Sequence, residues 1–457
     1  MKITHAAICP TDAAREAGRP ALTPELLAAS GARYSRNNEG LDSILSKIDP
    51  NNLDKSVDGI FKMIDYGHQS IADMAPVAMF IDGVSLALAY IVWSLAPTAG
   101  GQESSTRYIN YAGGVVDADV LGIPAIARDA WQKGTTNAFA AYDRALELWT
   151  ELAQQQPELT RIPRSLREDT SDRAQKTVAR MERNYAFDRA RVFLPVAAPT
   201  NLMLVMSARG WVNLAQHLLS HPLPEARALG EGIREELPLA APRLLRHATA
   251  KPSMEAGQKQ QWEKWMQSAR DELEITEAPP TAHLEVAFAE GDFASALEFH
   301  DNRYAWIGED LQHTVVRFGW DAVAIAEIRD LNRHRTGTKS CPLVPVGFYS
   351  ASDQWPATAP KSDVLEELKA FGENATQDSR AQLAGGEATG VYHALLGTQY
   401  RFTHVTTADK FLYEAELRTG TGAHYRYARH LHDALELWYQ KFSATRGLVL
   451  EGSAEPE

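Results

Sequence analysis

The chain has 457 residues, of which 44% are hydrophobic and 23% are charged, so it is long enough for two or three globular domains. Its formal net charge of −13 argues against a surface that binds nucleic acid, because such a surface needs a positive field. The two cysteines, Cys9 and Cys341, are too few for a disulfide framework or a cysteine-built zinc site, and we expect no metal centre.

The amino-terminal residues 1–10 lack the basic and then apolar pattern of a secretory signal. The most apolar stretch, Val84 to Pro97, is shorter than a membrane span and predicts a buried helix. With the low cysteine count, these observations predict a cytoplasmic protein that has no membrane partner.

The front half of the chain is predicted to be mostly helical, because its apolar residues recur at helical spacing. One β-compatible segment, Pro76 to Asp82, ends at Gly83. Helices are predicted over Leu41 to Asp65 with a break at Pro50, Val84 to Ser94, Ala125 to Gln156, Ser207 to Leu219 and Glu225 to Leu237.

The back half repeats part of this pattern. Thr314 to Gly319 is a predicted strand that a helix follows from Asp321, and another helix is expected after Gly422. Thr407 opens a helix as Ser207 does, 200 residues earlier in the chain. A self-similarity of such long period predicts a duplicated domain, because two copies are too few for a solenoid.

Two short motifs carry most of the chemical information. Gln102 to Tyr108, with the sequence Gln-Glu-Ser-Ser-Thr-Arg-Tyr, offers Arg107 as a bidentate phosphate ligand, Ser105 as a further donor and Glu103 as an acceptor of hydroxyl groups. Arg333-His334-Arg335 follows a predicted helix that contains Asp330. Two cations that flank an imidazole can bind phosphates or stabilise another negatively charged group.

Together these motifs resemble the flavin-dependent thymidylate synthases, the ThyX family, in which Arg-His-Arg and Glu-x-Ser-x-Arg-Tyr follow each other in one signature. The front half keeps the second element and the back half keeps the first. Ala190-Arg191 to Leu194-Pro195 resembles a further family motif whose arginine contacts the nucleotide, and Leu417-Arg418 resembles the motif that supplies a second such arginine.

The resemblance also implies a flavin site and an α+β fold. The fold would comprise two ThyX-like domains, residues 1–251 and 280–443, each mostly helical with a small antiparallel sheet, joined by a linker over 252–279 and followed by a tail over 444–457. Gly67-His68 to Asp73, Ala32 to Ser35 and Ser207 to Asn213 resemble flavin-binding motifs. The implied FAD-binding residues are Ser35, His68, Ser70, Asp73, Ser207, Arg209 and Asn213.

The implied roles are divided between the two halves. The nucleotide would contact Gln102, Glu103, Ser105, Arg107, Arg191, Asp330 and Arg418, and the catalytic element would be Arg333, His334 and Arg335. Because the family builds its sites between the subunits of a homotetramer, two domains per chain imply a homodimer that mimics this tetramer. Its two sites would each combine residues of a front and a back half.

The implied reaction is reductive methylation of dUMP to dTMP with FAD, NADPH and methylenetetrahydrofolate. The partners would thus be nucleotide and folate small molecules. Asp330 occupies a position where the family usually has Gln, which leaves open the same chemistry on another nucleotide, as in a UMP methylase or a hydroxymethylase of modified-nucleoside synthesis. A non-catalytic flavin- or nucleotide-binding protein is a further alternative, which activity measurements would distinguish.

Overall fold

The computed structural model describes residues 1–36, 40–49, 52–65, 69–111, 113–360 and 362–454. These residues form two antiparallel sheets surrounded by helices, which confirms the predicted α+β class. The strands are β1 (Lys2–Ala6), β2 (Pro76–Ser85), β3 (Gly100–Glu103), β4 (Pro199–Ser207), β5 (Ala282–Ala287), β6 (Val315–Ala324), β7 (Thr338–Ser340), β8 (Gly347–Phe348) and β9 (Thr398–Thr407).

The helices in the described residues range from four to 28 residues in length. They are α1 (Asp12–Glu16), α2 (Pro24–Tyr34), α3 (Leu41–Ser46), α4 (Leu53–Asp65), α5 (Leu86–Leu95), α6 (Ala118–Leu121), α7 (Arg128–Gln155), α8 (Arg164–Glu168), α9 (Asp172–Ala190), α10 (Ala208–Leu219), α11 (Pro224–Glu236), α12 (Pro252–Ala269), α13 (Phe293–Ala296), α14 (Glu309–His313), α15 (Ile325–Leu331), α16 (Asp363–Ala384), α17 (Ala408–Thr419) and α18 (Tyr425–Lys441).

The chain divides into two compact units that interleave along the sequence. The first unit comprises residues 1–104, 116–123 and 199–263, and the second comprises 105–115, 124–198 and 264–457. Part of the front half therefore folds with the back half. The segment expected as a linker contains helix α12, and the sequence-based domain boundaries stay a prediction.

The first unit is organised around a four-stranded sheet in the order β1-β2-β4-β3. Strands β2 and β4 pair antiparallel from Pro76 opposite Ser207 to Ser85 opposite Pro199. Gly83, at a φ of +75°, allows the register shift between Asp82 and Val84. The sheet thus fixes the start of helix α10, because α10 begins directly after β4.

Helix α5 lies in the core of the first unit. Eight of its ten residues are buried, as expected for a segment that is apolar on all sides. The Ser85 hydroxyl accepts a hydrogen bond from Leu88 N and donates to the buried carboxylate of Glu225. This cap satisfies amide groups at the helix start that would otherwise lack partners.

The second unit contains a sheet of the same kind, in the order β5-β6-β9-β7, with β8 paired to β9. Helices α15 and α17 follow the two central strands directly, as α5 and α10 do in the first unit. Equal strand orders are what a duplication would leave, and the duplication itself stays a prediction. Strands β4 and β9 were not predicted from the sequence.

The segment that follows helix α9 is held by main-chain hydrogen bonds inside the second unit. Gly397 N donates to Val192 O, and Leu396 N donates to Leu194 O. Ala326 N, at the start of α15, donates to Leu396 O. The end of α9 and the helix α15 are therefore both tied to the same stretch of chain. In the described part of the chain, no helix is long and apolar enough to cross a bilayer.

Candidate functional site

The first component of the candidate site is a buried ion pair in the second unit. Arg107 donates through Nε and Nη2 to the two carboxylate oxygens of Asp188, at 2.7 and 2.9 Å, and through Nη1 to Gly422 O at 2.9 Å. Burial raises the pKa of Asp188, but Arg107 and His424 lower it more, to about 2. Asp188 is therefore ionised and fixes the orientation of the guanidinium group.

A second arginine lies in the same unit, directly after helix α9. The side chain of Arg191 is 2% exposed, and its Nη2 lies 3.3 Å from Asp330 Oδ2 while Nη1 donates to Thr106 Oγ1 at 3.2 Å. Its Nε–H is buried without a hydrogen-bond partner in the described residues. A buried donor without a partner is costly in a protein interior and indicates a group that a ligand can satisfy.

Asp330, the last but one residue of α15, links Arg191 to the back-half motif. Its Oδ1 lies 3.6 Å from Arg333 Nε, and its main-chain oxygen accepts a hydrogen bond from Arg418 Nη2 at 2.9 Å. Burial raises the pKa of Asp330, whereas Arg191, Arg333 and Arg418 lower it more, so this carboxyl is ionised. The residue that departs from the family pattern thus contacts three of the predicted arginines.

Arg418 lies in the last turn of α17 and contacts the central residue of Arg333-His334-Arg335. Its Nε donates to His334 Nε2 at 2.9 Å. Burial lowers the pKa of His334 to about 4; Glu414 opposes this shift and Arg418 reinforces it. His334 is therefore neutral near pH 7 and accepts the hydrogen bond from the arginine.

These residues form two sets of contacts that adjoin where Arg191 binds Thr106, the neighbour of Arg107 in the chain. We name them together the arginine cluster: Arg107, Arg191, Arg333 and Arg418 with Asp188 and Asp330. Four guanidinium groups meet two carboxylates, so positive charge remains in excess. Such an excess, with planar donors held in place by carboxylates, is suited to a phosphate group. The arginines come from four separate stretches of sequence.

A cleft of about 550 Å³ in the second unit is lined by the catalytic candidates Arg333, His334 and Arg335. Arg335 Nη1 donates to Asn332 O, within the same turn. Lys339 Nζ donates to the main-chain oxygens of His334 and Thr336, which holds the loop after α15. We name this the cationic cleft; its further lining includes Arg303, Tyr304, Lys410, Tyr413 and Arg418.

Three of the flavin candidates contact each other in the first unit. Arg209 Nη1 lies 3.0 Å from Asp73 Oδ2, and Ser207 Oγ donates to Asp73 Oδ1 at 3.3 Å. Arg209 and Asn213, one turn apart on α10, line a cavity of about 400 Å³. Trp211 on the same helix donates from Nε1 to Val77 O, which fixes α10 against the sheet.

The remaining candidates are more scattered. Ser35 caps the end of α2, where its hydroxyl donates to Ala32 O, and Ser70 is exposed on the short 3₁₀ turn of residues 69–74. His68 lies outside the described residues. In the first unit, Gln102 lies on β3 and Glu103 accepts a hydrogen bond from Trp93 Nε1 at 3.0 Å. In the second, Ser105 Oγ accepts a hydrogen bond from Arg107 N.

Sequence reasoning missed Asp188. From the motif, Arg107 was predicted to bind a phosphate through two hydrogen bonds. In the structure, its Nε and Nη2 groups donate to Asp188 instead. Three hydrogen bonds use three of the five N–H donors of a guanidinium group, so two remain for a ligand. The available signal was Asp188 as the one acidic residue in the segment from Arg183 to Arg191, which contains three arginines.

The sequence of this chain is similar to those of known proteins. Residues 21–243 match the family model described as "Thymidylate synthase complementing protein". A relative from Thermoplasma acidophilum, UPF0159 protein Ta1429, is 26% identical over 232 residues, which are 47% of this chain and 46% of the relative. The chain thus spans about half the length of that relative.

Among solved structures, the chain is similar to the flavin-dependent thymidylate synthase ThyX from Helicobacter pylori, complexed with FAD and dUMP. That similarity has 15% identity and a TM-score of 0.31, and it covers 55% of this chain and 100% of the other. The UMP/dUMP methylase PolB from Streptomyces cacaoi, bound with 5-Br dUMP, is 17% identical with a TM-score of 0.32 over 49% and 89% of the two chains. The family match thus identifies residues 21–243 of this chain as belonging to the thymidylate synthase complementing protein family, ThyX, as the motifs had predicted.

Proposed function

We propose that the protein catalyses flavin-dependent methyl transfer to C5 of a uracil nucleotide, dUMP to dTMP, with FAD, NADPH and methylenetetrahydrofolate. The observation that carries this proposal is the arginine cluster. Its residues Arg107 and Arg191 come from the family-matched segment, and Arg418 and Asp330 come from the back half.

The nucleotide phosphate would be bound by Arg107, Arg191 and Arg418. Arg107 is oriented by its two bonds to Asp188 and keeps two N–H donors for a ligand. Arg191 has its Nε–H buried without a partner in the described residues. A phosphate dianion would satisfy these donors and neutralise the excess positive charge, which favours a phosphorylated ligand over a nucleoside.

The base would lie against Asp330. Because this carboxyl is ionised, it accepts hydrogen bonds and donates none. It would accept the ring N–H of a uracil, while Arg191 and Arg333 hold its two oxygens. The ionised state is also the observation that favours the second candidate, the same chemistry on another pyrimidine nucleotide, since a carboxylate lacks the donor that a glutamine would offer.

The residues in the first unit fit a flavin nucleotide. The cavity of about 400 Å³ is within the range of ligand pockets and is lined by Arg209, Asn213, Gln69 and Gln216, which supply hydrogen-bond donors. Asp73 holds the guanidinium group of Arg209 in place. When bound, FAD would supply the redox chemistry, and these side chains would bind and orient it.

The remaining proposals concern partners. We propose that NADPH and methylenetetrahydrofolate are the other small-molecule reactants, and that the protein forms a homodimer which mimics the family tetramer. We assign no nucleic-acid partner, because the chain carries a formal net charge of −13.

The test is a substrate panel on the purified protein. The flavin spectrum is recorded first; dUMP, UMP, dCMP and CMP are then incubated with NADPH and methylenetetrahydrofolate, and the products are weighed by mass spectrometry. We expect a product heavier by one methylene group with dUMP. A methylated or hydroxymethylated product from another nucleotide would support the second candidate. A flavin-containing protein that modifies none of the four would refute the enzymatic proposal.

Arg191→Ala and the exposed control Arg144→Ala separate the site from general effects of losing an arginine. Arg191 is 2% exposed and contacts Asp330, whereas Arg144 is 49% exposed and pairs with Glu367. We expect product formation to fall only in Arg191→Ala. Equal activity in both variants would show that the arginine cluster does not bind the substrate.

A further inference from the structure

The cationic cleft carries more positive charge than the proposed reaction assigns to it. Its lining includes five basic side chains, and the one acidic side chain, Asp409, is paired to Lys410 at 3.0 Å. The five are Arg303, Arg333, Arg335, Lys410 and Arg418. The ionised Asp330 contacts Arg333 and Arg418 and offsets part of this charge, and the positive charge that remains favours binding of an anion.

Three rings form a row along the cleft. The ring centroid of Tyr304 lies 6.2 Å from that of Tyr413, and Tyr413 lies 6.3 Å from His334. Tyr304 is 77% exposed, which is unusual for a large aromatic side chain. An exposed ring beside partly buried ones offers a flat apolar surface on which a planar ligand can stack.

Arg303 is held at this row but has no hydrogen-bond or ion-pair partner in the described part of the chain. Its loop is anchored by His300, whose Nε2 lies 2.8 Å from Glu416 Oε1 on α17, both side chains being fully buried. The guanidinium group passes close to Gly420, where an added Cβ would lie 2.8 Å from Nη2. The loop is therefore built and positioned, and its cation is available to a ligand.

We propose that the cationic cleft binds a ligand that combines a planar heteroaromatic ring with an anionic tail, with Arg303 as an anion-binding residue and Tyr304 as a stacking residue. The inference rests on the proposed function and deepens it, since it gives one of the ring-bearing anionic reactants a binding site. The tail could carry carboxylates or phosphates, which guanidinium groups recognise alike.

The experiment titrates three probes into the FAD-loaded protein by calorimetry. Folic acid carries a ring and a carboxylate tail, NADP⁺ carries rings and phosphates, and pterin carries a ring alone. We expect Arg303→Ala to weaken binding of the tighter anionic probe about tenfold, as for loss of a charge-assisted hydrogen bond, and to leave pterin unchanged. Tyr304→Ala is expected to weaken both the anionic probe and pterin.

Arg317→Ala is the matched control, because Arg317 is an exposed arginine of the same unit, paired to Glu285. The proposal is overturned if Arg303→Ala and Arg317→Ala bind the anionic probes equally, or if neither anionic probe binds more tightly than pterin. Tighter binding of folic acid or of NADP⁺ identifies the kind of tail.

Titration of dUMP into the same proteins separates this inference from the proposed function. Arg303 makes no contact in the arginine cluster, so we expect dUMP to bind Arg303→Ala as it binds the wild type. If dUMP fails to bind the wild type while an anionic probe binds in an Arg303-dependent manner, the proposed function fails and the cleft assignment stands. If dUMP binds normally and Arg303→Ala has no effect on the anionic probes, the cleft assignment fails and the proposed function stands.

Discussion

Replacement of Arg107 by alanine should destabilise the protein strongly, because it leaves the carboxylate of Asp188 buried without its main partner. The two side chains are only 14% and 10% exposed, and two of their hydrogen bonds measure 2.7 and 2.9 Å. Removal of one partner from such a pair costs about 3–5 kcal/mol in the free energy of unfolding. The same change at Arg144, which is 49% exposed beside Glu367, should cost at most about 0.5 kcal/mol.

The pH dependence of this loss has a definite sign. In the wild type the pKa of Asp188 is about 2, below its ordinary 3.8, since Arg107 and His424 outweigh the burial that raises it. The ionised carboxylate of Asp188 therefore contributes about 2 kcal/mol above pH 4, and this is lost as the pH falls through 4 towards 2. In Arg107→Ala, burial is no longer offset by its main partner, so protonation of Asp188 relieves the penalty.

The assay is urea unfolding at pH 7 and pH 4, monitored by circular dichroism. It compares the wild type, Arg107→Ala, Asp188→Asn and the double variant. We expect the deficit of Arg107→Ala to shrink at pH 4, and the double variant to be more stable than the sum of the single losses predicts. A deficit below about 1 kcal/mol at pH 7, or one that is unchanged at pH 4, would refute the reasoning.

Four further outcomes are expected. Arg418→Ala should weaken dUMP binding in calorimetry about tenfold or more, because it removes a charged donor, and leave the FAD content unchanged. Arg209→Ala should weaken FAD binding about tenfold in fluorescence titration. The wild-type protein, as a homodimer, should be saturated near one FAD per chain. Burial holds the pKa of His334 at about 4, below its ordinary 6.5, so the wild type should lose thermal stability relative to His334→Gln as the pH falls from 6.5 towards 4.

Controls make these outcomes specific. Arg234→Ala, in an exposed pair with Glu231, should bind FAD normally, and equal loss in Arg209→Ala and Arg234→Ala would remove Arg209 from the flavin site. Saturation at two FAD per chain would contradict the division of roles between the two halves. Parallel pH profiles for wild type and His334→Gln would show that His334 is not a buried neutral imidazole.

Local patterns in the sequence were sufficient for several of the helices, although α9, α12 and α16 were not predicted. Ser207 precedes an apolar periodic segment and caps α10 through a bond from Gly210 N. The predicted break at Pro50, a residue outside the described part of the chain, falls between the end of α3 at Ser46 and the start of α4 at Leu53. Such features depend on neighbours within about four residues, so the sequence specifies them directly. The motifs likewise indicated the family, because they consist of contiguous residues.

Strands β4 and β9 were not predicted from local sequence patterns. Leu202 to Met206 is a continuous apolar run, which is compatible with helix or strand, and only its pairing between β2 and β3 makes it a strand. Strand β9 is mostly polar in sequence, and it is likewise defined by its pairing with β6, β7 and β8. Their partners lie far away in the chain, so no window of sequence contains the deciding contacts.

By itself, the sequence determined several of the helical segments and excluded a disulfide framework. It also determined which chemical groups the site can use, namely the arginines of the two motifs. Only the tertiary structure decided how these groups are paired. Arg107 and Asp188 are 81 residues apart, and Arg191 and Asp330 are 139 apart, yet each pair is in contact. Ion pairs form wherever packing brings opposite charges together out of water, and packing depends on the whole chain.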